Sequence, residues 1–207
     1  MTDLDTHSIA PPISEERLSG ILTFLQEAEK LKDTLRSGTT RQDRRESTAE
    51  HCWRLCLMLM AFEKDLGGIN FLKLMKLAVV HDLGEAISGD IPAPLQTADD
   101  DREERERRDF VSLCASLPED LSQDMQALWE EYAAAETPEA QLAKAFDKLE
   151  TMLQHHLMPG ADAAFHAFNL SYGVERTEKF PLTRQIREVV DDTTRQLIET
   201  GKDRESG

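Results

Sequence analysis

Residues 71–94 read FLKLMKLAVVHDLGEAISGDIPAP, and this stretch decides the fold. Its first part is a run of Leu, Met, Ala and Val in which Lys73 and Lys76 are the only charges before Asp82. That composition predicts a buried helix, with Asn70 as its N-cap. The helix ends on His81-Asp82, where an ionised carboxylate is costly unless something positive meets it. Beyond it Gly84, Gly89, Pro92 and Pro94 break the periodicity and predict a loop over 84–98.

Upstream, Ser47-Thr48-Ala49-Glu50 has the form of a capping box and opens a helix that runs to about Asp65. His51 lies just inside its first turn. From Leu55 onward this helix is apolar almost all round, which predicts a central position. Gly67-Gly68 ends it. The segment from Arg36 to Arg45 is polar and basic and reads as a loop, with no hairpin signal. The first helix begins at Ser14, where Leu18, Ile21, Leu22, Leu25 and Leu31 recur at helical spacing. Residues 1–13 read as a loose arm.

Downstream, DDDREERERRD (99–109) pairs Glu and Arg at i,i+3 and i,i+4 and suits an exposed helix face. Pro118 opens a helix to about Ala135, and Thr137-Pro138 opens another over 138–157. That second helix carries Asp147 within LAKAFDKLE. Met158-Pro159-Gly160 stops it, helices near 161–171 and 181–200 follow, and 201–207 read as a frayed tail. His155-His156 reads as a solvent-facing pair at a helix end, and Cys52 and Cys56 as core residues. The economical fold is one all-α domain over 14–200.

Composition narrows the function. The net charge is −16, which argues against nucleic acid or an anionic membrane as a partner, because both need a basic face. A small phosphorylated substrate stays compatible, since a metal and a few basic residues reverse the sign locally. The cysteines, Cys52, Cys56 and Cys114, form no CxxC pair, and no cationic, apolar leader opens the chain. The expectation is a cytoplasmic protein with reduced thiols. The longest apolar run, Leu55 to Phe62, is too short to span a bilayer.

Taken singly, His51 reads as a core histidine, His81-Asp82 as a helix-end pair and Asp147 as a partner of Lys144 or Lys148. Taken together they bring two imidazoles and two carboxylates to apolar stretches of three helices. This mixed N/O set suits a borderline divalent ion such as Mn, Fe, Co, Ni or Zn, and leaves positions open for water and substrate.

The segments RESTAEH (45–51), LAVVHDLGEAISGDIPAP (77–94) and AFDKLETML (145–153) resemble the HD-domain metal-dependent phosphohydrolases, and among these the 5′-deoxynucleotidase group. The motif HD-x-x-E-x-x-x-G-D-x-P carries the likeness, which extends from about Leu31 through the C-terminal helices. The resemblance implies a compact HD-domain bundle with the metal site between central helices. It implies that His51, His81, Asp82 and Asp147 ligate one divalent ion (Mn, Co, Fe, Ni, Zn or Mg). Glu85 then assists the attacking water, and on a continuing helix would share the face of His81. Asp90 falls near the sugar or nucleophile, with Pro92 beside it on the substrate side. Arg36 contacts the phosphate, with Arg41 or Arg45 as further candidates. The implied reaction is hydrolysis of (deoxy)nucleoside 5′-monophosphates by water attack. Relatives are often dimers, and the apolar helices permit one.

One feature departs from the group: where the deoxynucleotidases place a Trp just after the arginine, Ser37 and Gly38 stand here, which leaves sugar selectivity open. Two other readings stand beside the hydrolase. One is a nucleotide-binding HD protein without turnover, against which Glu85 speaks. The other is a di-iron HD oxygenase, which needs further ligands; no His lies between 82 and 147.

Overall fold

The computed structural model describes residues 12–92 and 101–205. Pro94 and the rest of 93–98, Asp99 and Asp100, the arm before Pro12 and residues 206–207 lie outside the described residues. Local capping chemistry starts most of the long helices. The Ser14 side chain accepts from Arg17 N and opens α1 (Glu15–Ala28). Ser47 and Glu50 form the full capping box of α2 (Thr48–Ala61). Asn70 caps α3 (Phe71–Val80). After a turn over 81–84 comes the short α4 (Glu85–Ser88), then α5 (Arg102–Leu113) and α6 (Glu119–Ala134). Thr137 caps α7 (Pro138–His155), which has Pro at its first position. The chain ends with α8 (Ala163–Asn169), α9 (Val174–Thr177) and α10 (Pro181–Glu205). The last helix thus continues into the segment expected to fray.

Two expectations are corrected here. The Arg36–Arg45 segment is a hairpin: β1 (Leu35–Thr39) pairs antiparallel with β2 (Arg45–Ser47), Leu35 opposite Ser47 and Thr39 opposite Arg45, with an irregularity between. It lacks the alternating pattern of a strand pair because tertiary contacts hold it. Gln154 Nε2 donates to Thr39 O at 2.5 Å, and Arg45 pins the carbonyls of Arg36 and Leu35 at 3.0 Å each.

The central helix is α7, not α2. It packs against α2, α3, α6 and α10 and buries Leu142, Ala143, Ala145, Phe146, Leu149 and Met152. By contrast α2 buries Leu55 and Leu59 but leaves Trp53 63% and Met60 56% exposed, with Leu57 on the same outer side. Its apolar girdle is therefore covered on one face only.

The core has two parts. Leu55, Leu59, Leu74, Leu77, Ala143 and Phe146 join α2, α3 and α7. Phe24, Leu31, Val80, Phe110, Leu113 and Trp129 join α1, α5 and α6 to the far end of α3. Charge pairs accompany the packing of α3 on α7. Lys73 meets Glu139 at 2.8 Å and Glu131 at 2.9 Å, and Asn70 N donates to Glu139 Oε1 at 3.0 Å. With the α3 start tied to the α7 start, the α3 end reaches the middle of α7, where Asp147 lies.

Candidate metal centre and cavity

The capping box places His51 in the first turn of α2, where it is fully buried. Its Nδ1 is hydrogen-bonded to Glu150 Oε2 of α7. Arg54, one turn further along α2, holds that same carboxylate through Nε at 2.5 Å and the Glu150 carbonyl through Nη2 at 3.0 Å. The His51 Nε2 faces inward without a hydrogen-bond partner among the described residues; in the ion-free protein the carboxylates around it favour the protonated ring, and with an ion bound and the proton on Nδ1 the Nε2 lone pair would be free to ligate.

His81 closes α3 and repeats the arrangement. Its Nδ1 donates to Ala78 O at 2.9 Å, and its buried Nε2 has no partner either. Two carboxylates meet these nitrogens. Asp82 Oδ2 lies 3.0 Å from His81 Nε2 and 3.7 Å from His51 Nε2. Asp147 Oδ1 lies 3.1 Å from His51 Nε2, while its Oδ2 takes the Tyr132 hydroxyl at 3.3 Å and Lys148 Nζ at 3.0 Å.

The residues present fit a divalent ion. Ligand atoms of His51, His81 and Asp147 lie within 4.8 Å of one another, and Asp82 approaches both imidazoles. Adjacent ligands on an ion with bonds of about 2.1 Å lie about 3 Å apart, close to these spacings. Two orphaned imidazole nitrogens beside two carboxylates have no cheaper explanation in a protein interior. Burial works against charge on Asp82, but His81 outweighs it and holds the carboxyl at about 2. Burial likewise opposes charge on Asp147, yet Lys148 and then His51 hold it well below the carboxylate range. Cys52 also lies within 4.8 Å of His81 and Asp82, but burial pushes its thiol up to about 11, which keeps it protonated.

The helix does not continue from His81 to Glu85. The turn over 81–84 intervenes, and Glu85 opens α4 instead. The turn is closed by i→i−3 bonds from Leu83 N to Val80 O and from Glu85 N to Asp82 O, and Gly84 within it lets α5 pack close, because a Cβ there would lie 2.5 Å from the Glu106 carbonyl. Glu85 still reaches the same cavity, is buried, and accepts from Thr48 Oγ1 at 3.2 Å. Burial, then the charges of Asp82 and Asp90, push its carboxyl up to about 9. Asp90 and Pro92 line the cavity too, and burial raises the Asp90 carboxyl.

From β1, Arg36 enters between them. Nη2 donates to Thr151 Oγ1 at 3.1 Å, and Nη1 lies 3.5 Å from Asp82 Oδ2. Burial disfavours its charge, but Asp82, Asp147, Asp90 and Glu85 together hold the guanidinium protonated. Arg45 is spent on backbone carbonyls and Arg41 is exposed on the hairpin turn, so neither lines the cavity with Arg36.

The cavity has a volume of about 380 Å³. Four residues in or beside it escape sequence reasoning. Glu150 is 1% exposed and orients His51. His155 is not solvent-facing: it is buried, its Nδ1 bonds Asn169 Oδ1 at 2.8 Å, and it lines the cavity. His156 is half-buried, with Nε2 2.8 Å from Thr194 Oγ1; α8 and α10 fold back over the end of α7 and cover the pair. Trp129, distant from Arg36 in sequence, lines the cavity from α6. No local signal marks any of these.

The family model for the HD domain matches residues 28–187. The chain is 33% identical to the 5′-deoxynucleotidase HDDC2 of Danio rerio over 67% of this chain and 70% of the relative. It is 33% identical to that of Homo sapiens over 65% and 66%. A predicted metal-dependent phosphohydrolase from Magnetospirillum magnetotacticum superposes with a TM-score of 0.73 at 30% identity, covering 89% of this chain and 96% of that one. A conserved protein from Pyrococcus furiosus superposes at 0.62 with 31% identity, covering 84% and 99%.

Proposed function

Because the chain belongs to the HD domain family, we propose that it hydrolyses the phosphate ester of nucleoside 5′-monophosphates, deoxyribonucleotides among them, with one divalent ion held by His51, His81, Asp82 and Asp147. The observation that carries the reading is the pair of buried Nε2 atoms of His51 and His81, without a hydrogen-bond partner among the described residues, facing Asp82 and Asp147; His81, Asp82 and Asp147 line one cavity and His51 lies directly behind them.

The ion supplies Lewis acidity toward the phosphoryl group and acidifies water. The chain's own residues do the rest. Arg36, kept charged and fixed on Thr151, neutralises the phosphate through guanidinium hydrogen bonds. Glu85 lines the cavity beside the ion site and takes the water proton in its ionised form, the form that the charge of a bound ion would favour. Thr48 fixes one oxygen of that carboxylate, leaving the other for the water. Asp90 and Pro92 bound the substrate side. Glu150 and the Ala78 carbonyl keep both imidazoles in the tautomer that presents Nε2. No helix among the described residues is long and apolar enough to cross a membrane.

The ion is of the borderline class, Mn, Co, Fe, Ni or Zn, with Mg as the hard alternative, and metal analysis of the purified protein identifies it. The two groups of potential ligands among the described residues share His81, which supports one ion per chain. The decisive experiment measures phosphate release from a panel of ribo- and deoxyribonucleoside 5′-monophosphates. Activity should vanish in chelator and return with Mn or Co. His81→Ala should abolish it, and full activity in that variant would end the assignment. The same panel settles deoxyribose against ribose. Light scattering against the chain mass of 23.4 kDa decides whether the expected homodimer forms.

A further inference from the structure

The cavity has a second end, built by α8 and the turn after it. Phe165 and Phe168 are three residues apart and Tyr172 follows four later, a spacing that lines up side chains on one helical face. All three rings line the cavity that Arg36, Asp82, Glu85 and Asp147 also line. Phe168 and Tyr172 lie with ring centroids 5.2 Å apart and planes tilted by 32°. Phe165 meets His155 edge-on at 4.8 Å. None of the three is a core residue: each is half-buried, whereas Phe110 and Phe146 are 1% and 0% exposed.

This aromatic face is firmly held. Asp162 Oδ1 caps α8 at its start, accepting from Phe165 N at 2.7 Å. At the other end buried Arg187 of α10 donates to the carbonyls of Tyr172 at 2.7 Å, Asn169 at 2.8 Å and Leu170 at 2.9 Å. Carbonyls that a helix end leaves orphaned are thus satisfied by one guanidinium. The hydrogen bond between His155 and the Asn169 side chain ties the same segment to the end of α7. Lys148 Nζ lies over the Tyr172 ring at 5.1 Å, so Tyr172 is held between that ammonium and Phe168, and it is the Phe165 and Phe168 rings of this anchored seven-residue helix that are suited to receive a flat ligand in the cavity.

We propose that Phe165 and Phe168, with Tyr172 behind Phe168, form the platform on which the nucleobase stacks while the phosphate lies at the His51–His81–Asp82–Asp147 end. The proposal rests on the nucleotidase reading for the identity of the ligand. The platform takes the base by its π face, so an aromatic heterocycle is the group it recognises. Stacking of this kind contributes roughly 5- to 100-fold in affinity per base.

The test uses the whole chain, Phe168→Ala, and Phe168→Leu, which keeps an apolar side chain but removes the ring. Binding of 2-aminopurine deoxyribonucleoside is followed by the fluorescence quenching that stacking causes, which needs no turnover. The preference for deoxyadenosine 5′-monophosphate over base-free 2-deoxyribose 5-phosphate is measured by KM with Mn added. The wild type should quench the probe, and both variants should bind it roughly 5- to 100-fold more weakly. The KM preference for the nucleotide should shrink by a similar factor. Absence of quenching in the wild type, or equal affinity in all three proteins, overturns the platform. Quenching that the variants lose, without phosphate release from any nucleotide, keeps the platform and rejects the hydrolase.

Discussion

Glu85 and Glu150 are both buried acids beside the candidate ion site, and their surroundings assign them opposite tasks. Glu85 has no cation bonded to it, and burial with Asp82 and Asp90 nearby keeps its proton on to about pH 9. Glu150 lies between His51 and Arg54; burial opposes its charge, but His51, protonated when no ion is bound, and Arg54 outweigh it and its carboxyl is held low. Glu85→Gln should therefore lower kcat by about 10²–10⁴-fold while leaving the metal bound, read by steady-state kinetics and metal analysis. The same variant carries a pH signature. The unfolded chain releases this proton near the ordinary value of 4.5 and the folded chain only near 9, so the folded state binds more protons across that window. Native stability therefore falls as pH rises through it, and Gln removes this penalty. In chelator the Tm gain of Glu85→Gln over wild type should grow from about pH 5 to about pH 8. An equal gain at both would show that Glu85 is ionised in the folded protein. For Glu150→Gln the expectation is a metal affinity weaker by about 10–100-fold by calorimetry, because the imidazole loses its orienting carboxylate.

At the scale of elements, the fold depends on close approaches that particular residues permit. Gly173, before α9, has φ +64°, and a Cβ there would lie 2.7 Å from Lys148 Cγ. Lys148 in turn holds Asp147 Oδ2 and lies over the Tyr172 ring at 5.1 Å. Gly173→Ala should cost about 1–2 kcal/mol from the left-handed backbone alone, read in a denaturant melt. It should also weaken metal binding by displacing Lys148; unchanged affinity would separate that lysine from the orientation of Asp147. Helix starts were legible because capping is local: Ser14, Ser47, Asn70 and Thr137 each bond an amide three residues away. The hairpin was not legible, because Gln154 of a distant helix helps to hold it. Nor was the turn over 81–84, where i→i−3 bonds replace the helix ladder as α5 packs against Gly84.

Over the whole molecule a net charge of −16 repels itself, and the chain answers with opposite-sign pairs such as Arg17–Asp120 and Arg107–Glu130 linking separate segments. Self-repulsion opposes compaction and is screened by salt. The Tm should accordingly rise as NaCl goes from about 10 mM to about 150 mM, across which the Debye length falls from ~30 Å to ~8 Å. A Tm that falls over that range would mean that attractive pairs outweigh the net charge. At this scale the division between sequence and structure is also clearest. By itself the sequence determined the helical class and most helix starts, and it named His51, His81, Asp82, Asp147 and Glu85 as candidates, because caps and motifs are written in neighbouring residues. Only the tertiary structure decided which helix is central, that Glu150 meets His51 across 99 residues, that Arg41 and Arg45 stay out of the cavity, and that His155, Trp129 and the aromatic face of α8 enter it. The physical reason is that these contacts arise where helices cross, and the crossing is set by packing around α7 rather than by any periodicity within one segment.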